Sequence, residues 1–184
     1  MIRARLRPSA LALTALLLAA SAVPARAQDE AAPAAPPPPC AAEEYRQFDF
    51  WLGEWEVRDA NGSLQGTNTI ASILNGCVLS ENWEGTSGSI GRSYNAYDRQ
   101  TGMWHQTWVD NAGTVLKIDG GLDGNAMVMR GSGRGRDGGP VDHRITWTPL
   151  EDGRVRQHWE ISRDGGATWN DAFLGFYARR EASD

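Results

Sequence analysis

Few side chains in this chain are equipped for chemistry. Glu81 lies in Leu79-Ser80-Glu81-Asn82-Trp83, where period-two alternation puts a carboxylate on the same face as Leu79 and Trp83. Burial beside an indole disfavours the charged form of a carboxyl. A raised pKa would suit general-acid work. A lyase, isomerase or hydrolase using Glu81 with Asn95 or Gln106 is therefore one reading of the chain, but no second catalytic group stands out, and the balance falls against an enzyme. Of the three histidines, His105 and His158 fall on outward strand faces, and His143 begins a strand beside Asp142. No His, Cys and carboxylate cluster has metal-ligand spacing, so neither a metal nor another cofactor is predicted. Gly131–Gly139 carries Arg134, Arg136 and Asp137 but no lysine-serine pair and no following helix, so it is not a phosphate loop. It reads as a mobile flap.

The elements that must position these groups are almost all strands. Apolar residues at Tyr45, Phe48, Trp51 and Leu52 have near-helical spacing, and Gly53 ends that turn. Trp55-Glu56-Val57-Arg58 then alternates and opens a first strand. Further strands are predicted at 65–74, 77–84, 89–98, 103–109, 115–121, 126–130, 143–148, 154–162 and 172–179. Asn61-Gly62, Asn75-Gly76, Asp123-Gly124 and Asp152-Gly153 are hairpin signals. No ten-residue amphipathic helix fits after Gly53. The fold class is all-β: one up-and-down antiparallel barrel of about ten strands with a short N-terminal helical turn, because closure removes exposed edges.

Alternation then assigns faces. On 154–162, Arg154, Arg156, His158 and Glu160 must meet water, which turns Gln157 and Trp159 inward. The same logic turns Trp104, Gln106 and Trp108 inward on 103–109, Glu81 and Trp83 on 77–84, and Ser93 and Asn95 on 89–98. A one-residue slip would invert any of these. The predicted lumen thus holds Glu81, Ser93, Asn95, Gln106 and Gln157 among Trp83, Trp104, Trp108 and Trp159. Polar groups converging within aromatic walls are what a small-molecule site looks like. The competing reading is a filled interior whose amides bond one another and trapped water.

The chain's address is read from its first residues. A basic start at Arg3, Arg5 and Arg7, an apolar run from Ala10 to Val23 and Ala25-Arg26-Ala27 form a secretory signal peptide over residues 1–27. Residues 28–42 are an Ala/Pro-rich linker predicted to be disordered, and 43–181 form the barrel domain. Loss of four arginines with the leader lowers the net charge from −5 to −9. So acidic a chain repels polyanions and anionic lipid surfaces, which argues against nucleic acid and against membrane binding after cleavage. The predicted protein is periplasmic or secreted, monomeric, and partnered by a small molecule. Cys40 and Cys77 suggest a disulfide in such a compartment. Closing a loop of about 38 residues is worth on the order of 4 kcal/mol in the chain-entropy account. Cys40 follows Pro36–Pro39 rather than an apolar run, which argues against a lipoprotein site.

Gly53-Glu54-Trp55, after a helical turn and opening the first strand, resembles the Gly-x-Trp pattern of lipocalins and calycins. That resemblance implies that Trp55 plugs the closed end of the barrel and that a basic residue near the C-terminus, here Arg179 or Arg180, packs over its ring. Phe48-Asp49-Phe50-Trp51-Leu52-Gly53-Glu54-Trp55 and Trp104-His105-Gln106-Thr107-Trp108-Val109-Asp110 together resemble a group of secreted bacterial lipocalin-like proteins, which implies a fold and no particular activity. Small haem-binding barrels of this type use one proximal histidine. Haem would need His105 or His158 to face inward, and a ligand-free structural barrel is the other alternative. Ser162-Arg163-Asp164-Gly165-Gly166-Ala167-Thr168-Trp169 matches the Asp-box pattern of sialidase propellers. There is one copy and no blade repeat, so Asp164 and Trp169 are read as a structural hairpin clip.

Overall fold

A computed structural model describes residues 37–180. The predicted leader and most of the linker lie outside these residues. Two 3₁₀ turns, Glu43–Arg46 and Asp49–Trp51, precede ten strands. These are β1 (Gly53–Arg58), β2 (Leu64–Ile73), β3 (Val78–Gly85), β4 (Ile90–Asp98), β5 (Met103–Asp110), β6 (Val115–Asp123), β7 (Ala126–Arg134), β8 (Pro140–Pro149), β9 (Val155–Ser162) and β10 (Asn170–Arg179). Each strand pairs antiparallel with its neighbours in sequence, and β1 pairs with β10 to close the barrel. The fold is all-β, a lipocalin-like up-and-down barrel.

The inward parity read from the sequence is the observed one. On β3 the inward positions are Leu79, Glu81 and Trp83; on β4 Ser93 and Asn95 are buried while Ile90 and Tyr94 are exposed. Pairing of Glu81 with Ser93, and of Asn95 with Gln106, places these side chains side by side. The Gly131–Gly139 flap requires correction. β7 and β8 remain paired through Arg134 and Pro140, so only Gly135–Gly139 turns. The glycines misled the reading because they mark close approach. A Cβ at Gly131 would overlap the Lys117 carbonyl on the neighbouring strand.

One end of the barrel is closed by the N-terminal turns. Phe48 and Trp51 stack at 4.9 Å, and both contact Trp147. The Trp55 indole N–H donates to the Trp51 carbonyl (2.9 Å). Arg179 lies 4.1 Å over the Trp55 ring, and its Nη1 donates to the Leu52 carbonyl (2.6 Å). Of Arg179 and Arg180, it is Arg179 that packs over the ring. Gly53 has φ +137°, and a Cβ there would run into the Arg179 guanidinium, so glycine is needed on both counts. Each buried ring removes about 150–250 Å² from water, a gross gain of roughly 4–6 kcal/mol before chain entropy. Cys40 and Cys77 are disulfide-bonded with Cα atoms 5.1 Å apart, which fixes the end of the linker to the barrel beside the plug.

Candidate functional site

The opposite end is open. A cavity of about 430 Å³ enters the barrel there. Its walls include Trp83, Trp108, Trp159 and Phe173, and its floor Glu81, Gln106, Gln157 and Tyr177. The rings are held in place from behind. The Trp83 indole N–H donates to Ser89 Oγ (3.1 Å), and the Trp159 indole N–H donates to His143 Nδ1 (3.1 Å). Gly91 lets the Trp108 ring lie against the backbone of β4, where a Cβ would overlap it. Trp83 meets Phe173 edge to face at 6.2 Å.

The floor is a hydrogen-bond chain linking side chains from six strands, β2 to β5, β9 and β10. Gln106 Nε2 donates to Asn95 Oδ1 (2.7 Å), and Asn95 Nδ2 donates to Ser93 Oγ (3.0 Å) and the Leu79 carbonyl (3.1 Å). Ser93 Oγ donates to Glu81 Oε2 (2.7 Å), and Asn68 Nδ2 donates to Glu81 Oε1 (2.7 Å). Asn68 also reaches the Tyr177 hydroxyl (3.4 Å), which in turn donates to Gln157 Oε1. Glu81 is 5% exposed. Burial raises its pKa above the ordinary glutamate value, and the Ser93 and Asn68 bonds oppose that rise without cancelling it. Burial, with the Glu81 charge nearby, pushes Tyr177 well above the usual tyrosine range, so its phenol stays protonated.

Of the residues chosen from the sequence, Glu81, Trp83, Gln106, Trp108, Gln157 and Trp159 line the cavity. Ser93 and Asn95 face inward but sit beneath the lining, holding Glu81 and Gln106 rather than meeting the lumen directly. Trp104 belongs to the plug. It packs edge-on to Phe48 (5.7 Å) and donates its indole N–H to Gln47 Oε1 (3.1 Å). The sequence reading missed Asn68, Phe173 and Tyr177. Alternation in Gly66-x-Asn68-x-Ile70 and Phe173-x-Gly175-x-Tyr177 would have placed all three inward.

His143 also faces inward, in step with Val141, Ile145 and Trp147. Burial lowers its pKa, and Asp142 partly offsets this. His105 and His158 are on the outer face, against Asp119 and Asp171 respectively, so neither is placed to ligate a haem in the lumen. The Asp164 clip forms as expected. Its carboxylate accepts the Thr168 hydroxyl (2.6 Å) and N–H (2.9 Å), and these bonds hold its pKa at about 2. Trp169 donates to the Gly166 carbonyl and lies under Arg144 at 4.3 Å. Among the described residues, no three His, Cys, Asp or Glu side chains converge as a metal site would. No described helix is long and apolar enough to cross a membrane.

The fold and the lumen define a class, a lipocalin-like barrel with one plugged and one open end. No protein-family model matches the chain, and no curated protein matches it either.

Proposed function

We propose that this chain is an exported, monomeric member of the secreted lipocalin-like group carrying the Phe-Asp-Phe-Trp-Leu-Gly-x-Trp opening, and that it binds one small, partly polar, ring-containing molecule in its lumen. The observation that carries this reading is the cavity of about 430 Å³, walled by indoles and floored by a polar chain centred on Glu81. A solid structural barrel has no use for such a space. The disulfide and the basic, apolar leader support an oxidising compartment. The acidic charge supports a partner other than nucleic acid or an anionic membrane.

Thermal-shift screening of the purified protein against a metabolite library, with mass spectrometry of what co-purifies, tests the proposal. A ligand that binds only the folded state at 100 times its Kd should stabilise it by about 2.7 kcal/mol. Absence of any stabilising compound and of any co-purified molecule would end it. The enzymatic alternative has one observation in its favour, the raised pKa of Glu81 at the cavity floor. A Glu81→Gln variant that still binds but no longer converts its ligand would support that alternative; retained turnover would remove it.

A further inference from the structure

The directions of the Asn95 and Gln106 hydrogen bonds in the floor can be read from one anchor. Asn95 Nδ2 reaches the Leu79 carbonyl (3.1 Å), which can only accept. Asn95 is therefore oriented, and its Oδ1 must receive the bond from Gln106 Nε2. Gln106 is then fixed as well, and Oε1 is its remaining polar atom, an acceptor. Ser93 Oγ takes a hydrogen from Asn95 and, when Glu81 is ionised, gives its own proton to Glu81 Oε2. Asn68 supplies a hydrogen to the other oxygen. Both oxygens of Glu81 are thus met by donors, the arrangement that complements a carboxylate. Among the described residues no Lys, Arg or His forms an ion pair with it. A buried carboxylate provided with donors but lacking a counter-charge is an unfinished ion pair.

We propose that the lumen ligand is an organic cation, with an ammonium group seated against Glu81 and Gln106 Oε1 and its apolar part between Trp83, Trp108 and Trp159. This rests on the lumen being a ligand site. Indole faces attract a cation through the ring quadrupole, so walls and floor select the same charge. A carboxylate has about four acceptor positions, so Glu81 can receive an ammonium N–H in addition to Ser93 and Asn68. The other titratable groups facing the cavity do not supply the missing charge. Tyr177 from β10 is neutral, and His143 on β8 has Nδ1 occupied by Trp159. Asp110 and Arg136 at the rim carry opposite signs. The acidic chain as a whole draws cations toward the mouth.

Binding is then linked to a proton. Without a counter-charge, burial leaves Glu81 protonated at pH values above the ordinary glutamate range. An incoming ammonium favours the ionised form and displaces that proton. Affinity for a cation therefore rises with pH until the carboxyl is ionised in the free protein.

The experiment is calorimetric titration of the purified protein with 2-phenylethylammonium, and with two probes of matching shape, neutral propylbenzene and anionic 3-phenylpropanoate. The ammonium should bind at least about tenfold tighter than either, a difference well within what a single charge contact supplies. Its affinity should climb as pH rises from the ordinary glutamate value of 4.5 through the raised pKa of Glu81, with heats that differ between buffers because a proton is released. Glu81→Gln should weaken the ammonium at least about tenfold and leave propylbenzene within about twofold. Should that variant not fold, the pH dependence and proton release of the unaltered protein decide the matter. Equal or tighter binding of either other probe, or a flat pH profile, overturns the cation and leaves the lumen site standing. Failure of all three probes to give heat or thermal stabilisation overturns both.

Discussion

At the closed end of the barrel, Trp51, Trp55, Trp104 and Trp147 are each 1% exposed or less. At the open end, Trp83, Trp108 and Trp159 are only partly buried and border a cavity. The residue type is the same, and Trp104 and Trp108 even share β5, so the difference lies in what covers the rings. Phe48, Tyr177 and the Arg179 guanidinium cover the closed-end indoles. At the open end, Ser89 holds Trp83 and His143 holds Trp159, which fixes their orientation and leaves ring surface toward the lumen. Stability is concentrated where the rings are covered, and recognition is available where they are not.

The largest expected effect comes from uncovering the plug. Trp51→Ala should cost about 3–5 kcal/mol in denaturant unfolding, the usual range for deleting a fully buried aromatic. Trp108→Ala at the other end should cost about 1 kcal/mol, because its ring is already partly in water. If the two cost the same, the division between the ends is wrong. Replacing Cys40 and Cys77 by serine should remove about 2–4 kcal/mol, seen as a lower melting temperature that reductant reproduces in the unaltered protein. Gly53→Ala should cost about 1–3 kcal/mol, since it combines a left-handed backbone with a collision against Arg179.

The smallest effect is a pH slope that belongs to the open end. The folded pKa of Glu81 lies above its ordinary value of 4.5. The folded state therefore holds the proton more tightly than the unfolded chain, and stability falls as pH rises from 4.5 through the folded pKa. His143 works in the opposite sense. Its folded pKa lies below 6.5, so its contribution is lost as pH falls from 6.5 through that value. Chemical denaturation of the unaltered protein and of Glu81→Gln across this range should show a decline with pH in the difference between them. A flat difference would mean that Glu81 titrates alike in both states.

Much of this was legible in the residues. The charged alternation Arg154, Arg156, His158, Glu160 fixed the inward face of β9, and Gly53-Glu54-Trp55 pointed to the plug and its arginine. Height along the barrel axis was not legible. Trp104 and Trp108 share a face, but four residues of strand separate them by about 13 Å, enough to put one in the plug and the other at the cavity. The floor chain was hidden for a different reason. Asn68 and Tyr177 lie 109 residues apart and meet only because β1, between their strands, closes the barrel. Nothing local to either position signals that meeting.

The division of labour between the ends is tested most directly by following the indole N–H resonances of the eight tryptophans by nuclear magnetic resonance while 2-phenylethylammonium is added. The account predicts shifts at Trp83, Trp108 and Trp159, with Trp51, Trp55, Trp104 and Trp147 unmoved. Shifts spread through the plug, or confined to Trp169 on the outer face, would contradict it.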